Sequence, residues 1–257
     1  MKILFIGDVV GSPGRAIVGS LLPALKKQYD IDFVIANGEN AAHGKGITNK
    51  IANYFVSIGI DVITLGNHAY AKREVHALDV GLPIVFPANL SGNYQDQHTL
   101  KITHQGVDIA VSNLCGSAFM DNVTESPFDA MDKILLNTKA DIHIVDFHGE
   151  ATAEKKAFAY HYANTVSAII GTHTHVQTAD EQIINNTIFI TDVGMCGSYQ
   201  SILGRDIEEA INKMVYHENT HYKPSKQPAL FSGLIMSFDD QFNPVKVERL
   251  YLKPNEK

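Results

Sequence analysis

Five apolar runs in this chain each end at a side chain that can bind a cation. KILFIGD ends at Asp8, FVIANGEN at Glu39 and Asn40, VITLGNH at Asn67 and His68, IHIVDFH at His148, and AIIGTHTH at His173 and His175. Runs of β-branched and large apolar residues bounded by glycine and polar groups form buried strands. In sheets of this kind ligands gather at the carboxyl ends of the strands. Five separate stretches therefore point carboxylate, amide and imidazole groups toward one edge. That is the donor set of a metal centre, and its size suits two ions.

The rest of the chain alternates in the same way. Strands are expected over 2–8, 31–37 and 61–66, with a helix from Ala16 to Tyr29, a second capped by Thr48 and a short one over 71–79. Residues 82–86, 99–103 and 107–114 are short strand-like runs joined by turns such as Ser91-Gly92-Asn93 and Gln105-Gly106, which suggests β-hairpins. Ser126-Pro127 fits a helix start. Strands return at 141–147, 166–171 and 187–192, helices fall near 153–163 and 204–216, and 231–238 and 245–252 close the chain as two antiparallel strands. The Gly-rich loop 194–206 is expected to be a mobile flap. The pattern implies an α/β fold with two sheets packed on each other and helices outside, in a single domain spanning 1–257.

Composition narrows the function. With 257 residues and 45% hydrophobic content the chain can bury a large core. A net charge of -7 and the lack of a Lys/Arg block argue against stable nucleic-acid binding, though a small nucleotide remains a fitting ligand. The two cysteines, Cys115 and Cys196, have no CxxC spacing and suit a reducing cytoplasm. No run approaches the ~20 apolar residues that cross a bilayer. The chain is therefore expected in the cytoplasm, without a membrane partner. A homo-oligomer is compatible with the residues, which do not fix the assembly.

Glu39 lies in Asn37-Gly38-Glu39-Asn40, where three side chains offer oxygen donors. A carboxylate has two oxygens, so Glu39 is the candidate bridge between two cations. In Gly66-Asn67-His68 the amide is a modest ligand, and His68 can either bind a metal or stand free as a proton donor. His148 has Glu150 close in sequence as a group that could hold its ring. In Gly171-Thr172-His173-Thr174-His175 the two imidazoles alternate, and alternate residues of an extended segment share a face. Mixed oxygen and nitrogen donors without cysteine point to a catalytic site rather than a structural zinc. Any one of these groups has a bland alternative as a cap or a core histidine. Their recurrence at successive strand ends carries the inference. GxGxxG, GxSxG and GxxxxGK[ST] are absent. Cys196 reads as an inert thiol and His43 as a solvated loop residue.

These motifs resemble those of the calcineurin-like metallophosphoesterases, which run D…GNxxD…GNH…H…GHxH. Two departures stand out. Asp8 is followed by Val9-Val10 rather than by the histidine of a DxH motif, and the second motif reads Asn37-Gly38-Glu39-Asn40. Both look like the YmdB-like branch, as do GDVVGSPGR at 7–15, FHGEATAEK at 147–155, GTHTHVQTAD at 171–180 and TDVGM at 191–195. The resemblance implies a four-layer α/β/β/α sandwich of two mixed sheets flanked by helices. It implies two divalent or trivalent metal ions, iron or manganese. Asp8, Glu39, Asn40 and His175 would hold the first ion and Glu39, Asn67, His148 and His173 the second, with His68 as proton donor. The activity implied is hydrolysis of small cyclic nucleotides, 2′,3′-cAMP among them, by a hydroxide shared between the ions. The alternatives are a phosphomonoesterase, a 3′,5′-cyclic nucleotide phosphodiesterase, and a metal-binding regulatory protein with little turnover.

Overall fold

A computed structural model describes residues 1–92 and 97–254. The chain runs β1 (Lys2–Ile6), β2 (Asp8–Val9), α1 (Gly11–Tyr29), β3 (Phe33–Asn37), α2 (Asn49–Ser57), β4 (Val62–Thr64), β5 (Ile84–Val85), β6 (Thr99–His104) and β7 (Val107–Cys115). It continues through α3 (Pro127–Asn137), β8 (Ile142–His148), α4 (Thr152–His161), β9 (Ala168–Thr172), β10 (Gln182–Ile184), β11 (Thr187–Ile190), β12 (Met195–Ser198), α5 (Ile207–Met214), β13 (Ala229–Phe238) and β14 (Pro244–Leu252).

Two mixed sheets result. The first has the order β2-β12-β13-β1-β3-β4-β5, with β14 also paired to β13, and the second β10-β11-β9-β8-β7-β6. Strands β1, β3, β4 and β5 are parallel, as are β7, β8, β9 and β11. The chain ends in the expected antiparallel pair, β13 with β14.

The period-2 alternation of strand side chains builds four layers. Leu4 and Val34 turn outward onto Val18 and Leu22 of α1 and Phe55 of α2. Their neighbours Ile3, Phe5 and Ile35 turn inward and meet Ile109, Ile144 and Ile170 of the second sheet. On the far side Val145 and Phe147 pack under Met131 of α3 and Phe158 of α4. Each such fully buried side chain contributes about 1.5–3 kcal/mol. The helices start where polar caps stand: Thr48 accepts from Ile51 N–H, Ser126 from Phe128 N–H and Asp206 from Glu209 N–H.

Several expectations need correction. The strand expected over 2–8 breaks at Gly7, where a Cβ would lie 2.2 Å from the Gly194 carbonyl oxygen. Helix α1 begins at Gly11 rather than Ala16. Within 71–79 only a 3-10 turn forms, Arg73–Ala77. Of the expected hairpins β6–β7 is real, turning at Gln105-Gly106, but β5 instead joins the first sheet parallel to β4. Asn93 of the expected Ser91-Gly92-Asn93 turn lies outside the described residues. Loop 194–206 is no free flap. Its first part is β12, a buried strand held between β2 and β13.

His143, on β8, is buried, with Nε2 2.8 Å from Ser112 Oγ. Burial pulls its pKa from 6.5 down to about 4. Between those values the unfolded chain takes up a proton that the folded chain refuses, so stability falls as the pH drops through this window. His143→Gln is expected to remove on the order of 3 kcal/mol of that acid sensitivity. Urea unfolding at neutral pH and near pH 4 checks it, the variant gaining on the native chain only at the acid end.

Candidate metal centre

Both sheets supply the site. The first brings Asp8 on β2, Glu39 and Asn40 in the turn after β3, and Asn67 and His68 in the turn after β4. The second brings His148 at the end of β8 and His173 and His175 in the loop after β9. All eight residues meet at one edge of the sandwich, linked by the contacts below.

They form two overlapping groups. In one, Asn40 Nδ2 lies 3.3 Å from Asp8 Oδ1, 3.0 Å from Glu39 Oε1 and 3.1 Å from His175 Nε2. The two ends of an amide look alike, and turning it over puts the carbonyl oxygen among these three atoms. In the other, His148 Nε2 lies 3.2 Å from Glu39 Oε1, 3.1 Å from Asn67 Oδ1 and 3.0 Å from His173 Nδ1. Glu39 belongs to both. Donor atoms of Glu39, His148 and His173 all fall within 4.8 Å of one another. Gly66 lets these donors close on its backbone, since a Cβ there would sit 2.4 Å from Glu39 Oε2 and His148 Nε2. Buried carboxylate, amide and imidazole donors, with no thiolate, fit Fe, Mn or another borderline divalent cation.

His68 stands beside both groups. Its backbone N–H donates to Glu39 Oε2 at 2.9 Å, and its Nδ1 lies 3.1 Å from Asn40 Oδ1 and 3.3 Å from Glu39 Oε1.

The electrostatics follow from burial. Burial raises the Asp8 carboxyl above the usual range, against the pull of His175 and His148. Burial would do the same to Glu39, but His148 and His68 together hold it well below that range. Burial disfavours charge on His148 too, yet Glu39, Asp8 and Asp146 lift it to about 9. Burial and the neighbouring His148 push His173 down to about 3, which leaves a neutral imidazole.

A buried polar shell aims these groups. His148 Nδ1 faces Thr172 Oγ1 at 2.9 Å, and that hydroxyl donates to Asp146 Oδ1 at 2.6 Å. The chain holds one His148 proton on Nδ1, so a cation that binds Nε2 would displace only the proton that Glu39 and Asp8 otherwise favour there. Lys155, fully buried on α4, donates to the Thr172 carbonyl at 2.7 Å and to Asp192 Oδ2 at 2.9 Å. Asp192 in turn accepts from Thr174 N–H and Gly194 N–H at 3.0 and 2.8 Å.

Three details differ from expectation. Glu150 does not hold His148; it lies 3.1 Å from His173 Nε2. The two histidines after β9 do not share the face of an extended segment. His173 and His175 have φ of 100° and 66°, so one ring turns to His148 and the other to Asn40. Asn37 is no donor to the site, because its amide is engaged by Leu65, Asp146 and Glu39 N–H. Asp146, Thr172, Lys155 and Asp192 were not recognised as supports. Asp146 and Thr172 carry one signal, a charged or hydroxyl residue in an apolar run close to a ligand candidate, whereas Lys155, in Ala153-Glu154-Lys155-Lys156, and Asp192 carry none.

The centre opens into a cavity of about 380 Å³ lined by Glu39, Asn40, His68, His173, His175 and, on the far wall, Tyr222.

Thr172→Val strips the hydroxyl shared by His148 and Asp146. It is expected to cost about 1–3 kcal/mol of stability and about 10–100-fold in Mn²⁺ affinity, both restored by Thr172→Ser. Urea midpoints and metal titration check it. Lys155→Met leaves Asp192 buried without its cation, and a loss of about 3–5 kcal/mol in the same unfolding assay is expected.

The chain is similar over its length to several known proteins. The chain is 40% identical to the 2′,3′-cyclic-nucleotide 2′-phosphodiesterase of Bacillus subtilis (strain 168), covering 98% of this chain and 97% of that one. A crystal structure of a hypothetical protein from Thermus thermophilus superposes with a TM-score of 0.92 at 36% identity, over 99% of this chain and 100% of that one. A crystal structure described as a novel phosphatase of Mycoplasma pneumoniae gives a TM-score of 0.92 at 34% identity, over 98% and 94% of the two chains. Among the described residues no helix is long and apolar enough to cross a membrane. Residues 4–250 match the family described as YmdB-like protein. The chain therefore belongs to the YmdB-like family, a branch of the calcineurin-like metallophosphoesterases with their α/β/β/α fold.

Proposed function

We propose that this phosphoric-ester hydrolase cleaves the phosphodiester of small cyclic nucleotides, 2′,3′-cAMP first among them, with two iron or manganese ions. The observation that carries the proposal is the pair of donor groups that share Glu39. Asp8, Glu39, Asn40 and His175 hold one ion; Glu39, Asn67, His148 and His173 hold the other. When bound, such ions lower the pKa of water and neutralise charge on the phosphoryl oxygens.

The protein's own groups do the rest. The cavity has room for one small ester, with Glu39 in its lining and Asp8 and His148 fully buried behind it. The leaving oxygen of a diester is an alkoxide and needs a proton. His68 belongs to neither donor group, lines the cavity, and is aimed by Glu39, which accepts from its backbone N–H and lies 3.3 Å from its Nδ1. It donates that proton, a contribution of about 10²–10⁴ in rate. The name of the Bacillus subtilis relative supports the 2′,3′-cyclic choice. Residues 1–257 act as one catalytic domain, in the reducing cytoplasm that the two unpaired, buried thiols suit.

His68→Ala is expected to keep both ions and lose about 10²–10⁴ in kcat. Elemental analysis of the purified variant decides: loss of an ion would make His68 a ligand instead. Glu39→Ala is expected to empty or cripple both sites, and full retention of one ion would refute the bridge. Side-by-side assays of 2′,3′-cAMP, 3′,5′-cAMP and p-nitrophenyl phosphate test the substrate, with turnover highest on the first.

A further inference from the structure

One wall of the cavity carries none of the metal-ligand candidates. It is formed by Gly44, Lys45, Leu203, Arg205, Lys213 and Tyr222. Leu203 is a large apolar residue 47% exposed, yet its carbonyl oxygen lies 3.2 Å from His175 Nδ1. An apolar side chain thus stands open to solvent beside a metal-ligand candidate. Tyr222 is fixed from several sides. The Arg205 guanidinium carbon lies 5.2 Å from its ring centroid. Arg205 is itself forked onto Glu209, at 3.1 and 2.6 Å, and Glu209 also accepts from the Thr220 hydroxyl at 2.7 Å. Ser225 N–H to Gly204 carbonyl and Asp206 N–H to Lys223 carbonyl tie the two segments together. Gly44 has φ of 86°, and a Cβ there would sit 2.2 Å from the Tyr222 hydroxyl oxygen. Only glycine lets that loop close on the ring.

Two cations complete the wall. Among the described residues no carboxylate lies within ion-pair distance of Lys45 or Lys213. Each brings positive charge to the cavity in a chain whose net charge is -7. A rigid aromatic ring, an open aliphatic side chain and two unpaired ammonium groups match a ligand that has both a flat apolar part and negative charge. A bare phosphate or sugar phosphate would leave the apolar surface wet, whereas a nucleobase would cover it.

We propose that Tyr222 and Leu203 form the wall against which the substrate's nucleobase packs, while Lys45 and Lys213 face its negative charge. This rests on the nucleotide reading above and makes the base, and not only the phosphodiester, a determinant of selectivity. A ring held by Arg205 before the ligand arrives loses little freedom on binding.

The test compares kcat/KM for 2′,3′-cAMP and for the base-free ester ribose 2′,3′-cyclic phosphate on metal-loaded native protein and variants. In Tyr222→Ala the preference for the nucleotide is expected to fall about tenfold or more, through KM, while Tyr222→Phe stays within about threefold of native. Leu203→Ser, at an exposed position, is expected to lower the same ratio by an independent route. Equal loss on both esters, or no loss on either, overturns the proposal. Failure of the underlying functional reading has a separate signature, since the native protein would then turn over neither ester. Calorimetric binding of adenosine 3′-monophosphate against ribose 3-phosphate then decides the base wall alone, on the same tenfold criterion.

Discussion

Behind the site, the buried carboxylate of Asp146 ties strands of both sheets together. Apolar faces slide past one another at little cost, but a buried charge tolerates only the arrangement that satisfies it. Asp146 on β8 accepts from Thr172 on the adjacent β9 at 2.6 Å, and across the sheet interface from Asn37 on β3 at 3.0 Å and Thr64 on β4 at 2.5 Å. Burial raises its pKa to about 6 against those donors and His148, so it stays largely ionised near neutrality. The bonding partners are the last residues of β3, β4 and β9. Just beyond them come Glu39, Asn67 and His173, and just beyond Asp146 comes His148. Satisfying Asp146 therefore aligns the strand ends, and aligned strand ends bring donors from both sheets together.

The loop after β9 depends on that alignment and on a second buried charge. His173 and His175 both occupy left-handed backbone conformations, each costing on the order of 1–3 kcal/mol. An unsupported loop would relax toward extended backbone and carry one imidazole away. Lys155 grips the Thr172 carbonyl at the loop's start, and through Asp192 it grips Thr174 N–H between the two histidines. The helix that follows β8 thus orders the two histidines that follow β9. Strain in the loop is balanced by a cation whose own desolvation is offset by the polar contacts around Asp192 and Thr172.

Much of this was legible because strand ends are written locally. A buried parallel strand needs a continuous apolar run, and its ligand sits where the run stops, so Asp8, Glu39, Asn67, His148 and His173 stand out in one dimension. Helix starts were legible at Thr48 and Ser126 because capping involves neighbours in sequence. Elements decided by distant partners were not. Strand β5 joins β4 because β4 offers a free edge, and β12 is buried because β2 and β13 close on it. Glu150 was assigned to the wrong ring for the same reason: proximity in sequence says little once His173 turns to a positive φ. Asn37 looked like a ligand because its partner Asp146 lies in the other sheet.

The charge distribution supplies the last constraint. A long nucleic acid must approach a broad surface, and a chain of net charge -7 repels it. A small anion senses only the ground within a Debye length, about 8–10 Å. The cavity lining carries Lys45, Arg205 and Lys213, with Glu150 paired to His173 and Glu39 at the centre. Arg205 is neutralised by Glu209, so its part is to hold Tyr222. The two lysines stay free to attract. An acidic exterior around a cavity that carries two unpaired lysines disfavours long polyanions more than small anions, without any contact that reads length. The Glu39 and Asp8 carboxylates, which would otherwise repel the same anion, are buried, Asp8 fully and Glu39 all but a small part, where bound cations would offset them.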